Sequence, residues 1–228
     1  MGREPMETLR AAFPELEAPH LKALARVATV RRCRPREVVI RQNEPGDSLF
    51  VIAAGFFNVN VSGPDGGTRA LGVMGPYEMF GELSLVDGAP RSATVVAHTR
   101  GELVCIQRDA FVERLSKSPV LALAVMQILA RRIRRLTERC DDLVGLRVGS
   151  RLAKQLLLLA EAHGLWSGTD RVRISIRLSQ QELGDLVGAS RESVNYHLRL
   201  WETEKLLARD GGYLVIINAP LMRSLAMT

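Results

Sequence analysis

Between Ala122 and Leu143 an apolar residue recurs at alternating steps of four and three: Ala122, Met126, Leu129, Ile133, Leu136, Cys140 and Leu143. This heptad spacing marks a long helix with a narrow seam, built to run along a neighbouring helix. Ser118-Pro119 breaks it from a preceding helical stretch that starts at Asp109. The seam therefore lies between two parts of the chain, each of which needs its own core. Arg131, Arg132, Arg134, Arg135 and Arg139 surround it, so a lone helix would be strongly cationic outside the seam. We read it as the contact between two copies of this chain, with Cys140 as a small apolar filler. The alternative is an amphipathic helix lying on its own domain.

Before the seam, Leu9, Phe13, Leu16, Leu21, Leu24, Ala25 and Ala28 fall at helical spacing, broken by Pro14 and Pro19. Short helices forming a lid are expected there. Arg31, Arg32, Arg34 and Arg36 read as a solvated edge. From Glu37 to Ile106 the pattern changes to short branched apolar runs: Val38–Ile40, Leu49–Ile52, Phe57–Val61, Ala70–Val73 and Thr94–Ala97. Turns at Glu44–Asp47 and Gly63–Gly67 separate them. Many short strands at even spacing suggest a rolled antiparallel barrel, either enclosing a ligand or filled by its own side chains.

Late in this region lies Phe80-Gly81-Glu82-Leu83-Ser84-Leu85-Val86-Asp87-Gly88-Ala89-Pro90-Arg91-Ser92-Ala93. Gly81 lets a backbone N–H come close to a ligand, and the turn through Leu83 directs further N–H groups the same way. Arg91 offers a planar cationic fork suited to phosphate, and Ser92 a hydroxyl. Glu82 would be repelled by a phosphate but can accept from a sugar hydroxyl. Phosphate donors beside a ribose acceptor describe a nucleotide pocket; solvated charges on a surface turn are the plainer reading.

After the seam, Arg147 to Gly164 reads as a helix ended by a glycine cap, Leu165 to Asp170 as a loop, and Val172 to Ile176 as a strand. Ser179 with Glu182 forms a capping box ahead of Leu183, Leu186 and Val187. Gly188 permits a sharp turn. Ser190 caps a second helix whose inward face is Val194, Leu198 and Trp201. This is a helix-turn-helix, followed by a two-stranded wing around Asp210-Gly211-Gly212. In such a motif the start of the second helix faces base edges. Here that start offers Arg191 for guanine, Glu192 for cytosine, Asn195 for adenine, and Tyr196. Ser179, Gln180, Gln181 and Arg199 suit phosphates, and Ser190 is counted with the DNA-binding residues.

The net charge of +6 favours a polyanionic partner. No apolar run is long enough to span a bilayer, and Met1–Pro5 lacks the apolar core of a secretory signal. Cys33, Cys105 and Cys140 are too few and too scattered for a disulfide framework or a clustered metal site. No metal is expected, and no nucleophile–base pair suggests catalysis. A cytoplasmic location is expected, with no membrane partner.

Gly81-Glu82-Leu83 with Pro90-Arg91-Ser92-Ala93, and Ser190-Arg191-Glu192-Ser193-Val194 near the C-terminus, resemble the cAMP receptor protein (CRP/FNR) family of bacterial transcription regulators over nearly the whole chain. The resemblance implies an α+β chain. It would comprise an N-terminal cyclic-nucleotide-binding β-roll of jelly-roll type (1–118), a dimerisation helix (119–146) and a C-terminal winged helix-turn-helix domain (147–228). It implies cAMP as effector, with cGMP as the alternative. Phosphate would lie on Arg91, Ser92 and the N–H groups of Gly81–Leu83, and the ribose hydroxyl on Glu82. The base would point at Leu136 and Thr137, where Leu136 replaces one of two hydroxyls common in cAMP binders. Arg132 or Arg135 could instead meet a guanine. The implied partners are palindromic double-stranded DNA, a second copy of the chain and RNA polymerase. Asn195 and Tyr196 depart from the best-known member, so its operator does not carry over. Arg91→Ala is expected to abolish the ligand response with the fold intact.

Overall fold

A computed structural model describes residues 4–63 and 66–227. Pro64 and Asp65 of the expected hairpin loop and Met1–Arg3 lie outside the described residues. The chain divides into two compact units between Ile133 and Arg134. In order the elements are α1 (Pro5–Ala12), α2 (Ala18–Ala25), β1 (Ala28–Cys33), β2 (Val38–Ile40), β3 (Ser48–Ala54), β4 (Phe57–Ser62), β5 (Thr68–Met74), β6 (Met79–Phe80), α3 (Leu83–Asp87), β7 (Thr94–Ala97), β8 (Gly101–Gln107), α4 (Arg108–Lys117) and α5 (Pro119–Gly145). The chain continues with α6 (Val148–His163), β9 (Gly164–Ser167), β10 (Arg171–Ile174), α7 (Gln180–Val187), α8 (Arg191–Thr203), β11 (Leu207–Asp210), β12 (Tyr213–Ile216) and α9 (Ala219–Leu225).

The first unit holds two four-stranded antiparallel sheets, ordered β1-β8-β3-β6 and β2-β7-β4-β5. Alternation along a strand decides what each side chain meets. In β3, Leu49, Val51 and Ala53 face a core shared with α1, α2, α4 and the start of α5, while Phe50 and Ile52 face the interior of the roll. In β8, Val104 and Ile106 join the first core, and Leu103 and Cys105 the second. Both strands are covered on both faces, which is why their sequences show no polar alternation. Phe50, Phe57 and Phe80 fill much of the roll, Phe50 stacking on Phe80 at 5.0 Å between centroids.

Val30, Arg31 and Arg32 belong to strand β1 at the edge of its sheet, where Arg31 pairs with Glu37 and the largely exposed Arg32 with Glu102. The strands β6 and β8 were not expected, because two residues are too few to show a period and β8, covered on both faces, shows no alternation. Cys33 and Cys105 are buried thiols, and burial pushes Cys105 up to about 11.

Helix α5 carries two apolar faces. Leu121, Ala124 and Val125 are buried in the first unit's core. Of the heptad residues, Leu129 is partly buried against that same core, whereas Met126, Ile133, Leu136 and Leu143 are exposed, Ile133 by 63% and Leu136 by 58%. Most of the seam therefore lies off the face that packs on the helix's own unit, with Leu129 at the border between the two.

In the second unit α6 is central, burying Leu152, Ala153, Leu156, Leu157, Leu159 and Ala160 against α7, α8, α9 and β10. The capping box on α7 and the Ser190 cap on α8 form as expected. Gly164 does not act as a left-handed cap: its φ of −89° and ψ of 149° are extended, and it begins β9. Residues 164–167 are a strand paired with β10, so the wing is the edge of a four-stranded sheet ordered β11-β12-β10-β9. Only pairing with β10 makes β9 regular, since its own residues are mostly exposed and show no apolar alternation. The terminal α9, capped by Asn218 accepting from the Leu221 N–H, was also missed.

His197 on α8 sits with Tyr196 edge-on and Trp201 tilted against it, and packs closely on Gly149 at the start of α6. Burial pulls its pKa below 6.5. The unfolded chain then takes up the proton first, so stability is full above about 6.5 and falls as pH drops towards the folded pKa. Thermal unfolding between pH 7.5 and 5 should show this loss in the wild type, and His197→Gln should flatten it.

Candidate nucleotide pocket and nucleic-acid interface

In the first unit the cassette residues converge on one cavity of about 100 Å³. Gly81, Glu82, Leu83, Ser84, Arg91 and Ser92 line its polar side, and Ile40, Val59, Met74, Phe80 and Val95 its apolar side. Arg91 is turned inward and only 3% exposed. Its Nη1 donates to Gly81 O at 2.7 Å and to Ser84 Oγ at 3.4 Å, and its Nη2 donates to Ser48 O at 2.7 Å. One guanidinium thus ties β3, the Gly81 turn and α3 together, with N–H donors left for an anion. Burial lowers its pKa, and Asp47, at 3.7 Å, and Glu82 oppose that. The expectation that Arg91→Ala leaves the fold untouched is corrected by this geometry, because the buried Ser48 carbonyl and the half-buried Gly81 carbonyl lose their donor. Gly81 has φ +82°, and a Cβ there would sit 2.7 Å from Arg91 Nη1 and 3.0 Å from Ser48 O. Position 81 therefore requires glycine for conformation and for space.

Glu82 is 1% exposed, and its carboxylate is held by Arg132 of α5, which also donates to Met79 O. A buried carboxylate needs such a partner. Arg132 itself lines the cavity. The reading of Glu82 as waiting for a sugar hydroxyl missed this, since nothing local in the sequence pairs positions 82 and 132. The cavity is smaller than the ~300 Å³ at which ligand pockets usually begin. Leu136 and Thr137 lie on the part of α5 in the second unit, both exposed, and are not among the lining residues.

In the second unit Arg191, Glu192, Asn195, Tyr196 and Arg199 share the outer face of α8, opposite buried Val194, Leu198 and Trp201. Tyr196 is 64% exposed. Gln180 at the start of α7 donates to Asn195 Oδ1 at 2.9 Å, holding that amide in place on the outer face of α8. Gln181 donates to Asp185 at 2.8 Å, Ser179 closes the capping box, and Ser190 accepts from the Ser193 N–H. The sequence reading did not include Arg173 and Arg177, whose guanidiniums lie 4.7 and 4.6 Å from the centre of the Tyr213 ring in the wing sheet.

Residues 30–118 match the cyclic nucleotide-binding domain, and residues 150–225 match the Crp-like helix-turn-helix domain. The CRP-like cAMP-activated global transcriptional regulator of Mycobacterium tuberculosis is 40% identical over 157 residues, covering 69% of this chain and 70% of that one. The chain belongs to the CRP/FNR family of transcription regulators. The cAMP-activated global transcriptional regulator CRP of Salmonella typhimurium is 30% identical over 79% of this chain and 86% of its own. Among solved structures, the c-di-GMP responsive global regulator CLP of Xanthomonas campestris superposes with a TM-score of 0.73 at 25% identity, covering 89% of this chain and all of that one. FixK2 of Bradyrhizobium japonicum shares the fold, with a TM-score of 0.76 at 19% identity, covering 87% of this chain and 97% of that one. This family member is therefore a DNA-binding regulator with a cyclic-nucleotide-binding domain. Among the described residues, no helix is long and apolar enough to cross a membrane.

Gly81→Ala should lower the melting temperature of the first unit and abolish cyclic-nucleotide binding. Its cost should be about 1–3 kcal/mol from the positive φ alone, read by denaturant titration and calorimetry.

Proposed function

We propose that this CRP-family chain is a homodimeric transcription regulator gated by a cyclic mononucleotide, with cAMP as the preferred effector. The observation that carries the proposal is the cavity where inward-facing Arg91 meets the backbone of the Gly81 turn, with the Glu82 carboxylate beside it. Phosphate takes the remaining Arg91 donors, the Ser92 hydroxyl and the N–H groups of Gly81 to Leu83. The ribose 2′-hydroxyl donates to Glu82, so the ligand must compete with Arg132 or share the carboxylate with it. Since Arg132 belongs to α5, occupancy of the cavity acts on the helix that continues into the second unit. Gating works only insofar as the ligand favours the DNA-competent arrangement over the other. The similar cAMP-activated regulators support cAMP; the c-di-GMP response of one structural relative makes cGMP and other cyclic nucleotides necessary competitors in the test.

The exposed seam of α5 takes a second copy, which buries Ile133 and Leu136 and sets two α8 helices against half-sites about 34 Å apart. Arg191, Glu192 and Asn195 read bases, with Tyr196 beside them, while Ser179, Gln180, Gln181, Ser190 and Arg199 hold phosphates. Leu136 and Thr137 are proposed as the groups nearest the base. The unit boundaries 1–118, 119–146 and 147–228, a cytoplasmic location and RNA polymerase as a further partner belong to the same reading, as does the absence of catalysis. A second reading, a regulator that binds DNA without ligand, is favoured by one observation: Arg132 already satisfies Glu82 in a small cavity.

Calorimetry with cAMP and cGMP decides between the two readings. cAMP is expected to bind and to raise operator affinity by about 5- to 150-fold; no heat from either nucleotide would leave only the second reading. Arg91→Gln should remove nucleotide binding and cost about 3–5 kcal/mol of stability through its unpaired carbonyls. Ile133→Asp should shift the protein to monomer in sedimentation and cut operator affinity. Asn195→Ala should cost about 1–3 kcal/mol at one base position, whereas Arg199→Gln should weaken all sequences alike and reduce the salt slope by about 1.

A further inference from the structure

The end of α7, where the chain turns into the DNA-reading helix, is held by guanidiniums from outside the motif. A helix C-terminus leaves its last carbonyls without intrahelical donors. Here Arg139 of α5 donates from Nη2 to Leu186 O at 2.8 Å. Arg151 of α6 donates from Nε to Val187 O at 2.8 Å and from Nη2 to Gly188 O at 3.3 Å. The same Arg151 donates from Nη1 to Leu146 O at 2.7 Å, just past the end of α5. One planar fork thus joins the C-terminal ends of two helices, a placement that the helix dipoles also favour.

The fork spans the point where the chain is not helical. Arg147, between α5 and α6, is extended, with φ −68° and ψ 159°. Without Arg151, the helix-turn-helix would follow α5 only through that extended residue and through flanking side chains. Two further contacts reach the same place. Lys154 of α6 pairs with Asp142 of α5 at 2.8 Å. Leu143, a seam residue, lies 2.8 Å from where a Cβ on Gly188 would stand, and Gly188 is left-handed at φ +63°. A seam residue therefore rests on the turn of the DNA-reading motif.

We propose that Arg151, assisted by Arg139, is the positioning residue that fixes the helix-turn-helix to the end of α5, so that a shift of α5 is passed to α7 and α8 as a rigid displacement. This rests on the gated regulator proposed above and names the link through which the gating acts. Neither arginine is placed at the nucleotide or at a base. Position alone does not establish coupling; a ratio of affinities does.

The test compares wild type, Arg151→Lys and Arg139→Gln. Each is titrated with cAMP by calorimetry, and with a two-fold duplex selected from random sequence by the wild-type protein with cAMP present. The second titration is done with and without saturating cAMP. Arg151→Lys keeps the cation and loses the fork. Its ratio of DNA affinities with and without cAMP is expected to fall to a fifth of the wild-type value or less, with cAMP affinity within about twofold. Arg139→Gln should fall in the same direction by less. A folded Arg151→Lys protein with a wild-type ratio overturns the proposal. So does an equal loss of DNA affinity in both conditions, which marks structural support only. If Arg151→Lys does not melt cooperatively, Arg139→Gln is read by the same ratio, and a wild-type value there overturns the proposal. An unresponsive wild type is a different result: it ends the gating reading and the coupling role with it.

Discussion

A guanidinium taken almost wholly out of water is costly unless its donors meet acceptors. Arg91 meets that condition with Ser48 O, Gly81 O and Ser84 Oγ, which belong to β3, the Gly81 turn and the short α3. The cassette is therefore part of the fold of the first unit and cannot be treated as a loop laid over it. Gly81 is needed because a Cβ would press on that same guanidinium. Asp47 adds little beyond long-range attraction, since its side chain is mostly exposed and screened.

The second buried charge, Glu82, depends on a residue far along the chain. Arg132 holds its carboxylate, so the acidic group of the pocket is already partnered from within the chain. It also means that a side chain of α5 lines the cavity and is ion-paired there. The same helix buries Leu121, Ala124 and Val125 on one face and exposes Ile133 and Leu136 on another. Two apolar faces on one helix are intelligible when each has a different partner. The first face has its partner within the chain, and the other is the exposed face proposed above to take a second copy.

At the far end of the chain the same economy of arginines recurs. Arg139 and Arg151 take the carbonyls that end α7, and Gln180 holds Asn195 on the reading face of α8. Specificity at such a face depends on side chains held in place before DNA arrives. Arg91 with Ser48, Arg132 with Glu82, Arg139 with Leu186 and Arg151 with Val187 all pair at long sequence separation. None of these pairings follows a helical or strand period.

Periodicity made the helical seam, the two helices of the DNA-reading motif and most strands of the roll legible. The 3–4 step, the capping residues Ser179 and Ser190 and the turn at Gly188 act over a few residues, so the sequence by itself determined them. It also placed Gly81, Glu82 and Arg91 together in one short segment, with the donor and acceptor types a nucleotide needs. Strands such as β9 were hidden because they become regular only by pairing with a neighbour, and their own residues show no alternation. Which way Arg91 points, that Arg132 holds Glu82, and that Arg151 bridges two helix ends were decided by tertiary structure alone. Each joins groups that only the packed chain brings within hydrogen-bond distance, and desolvation then makes those pairings obligatory.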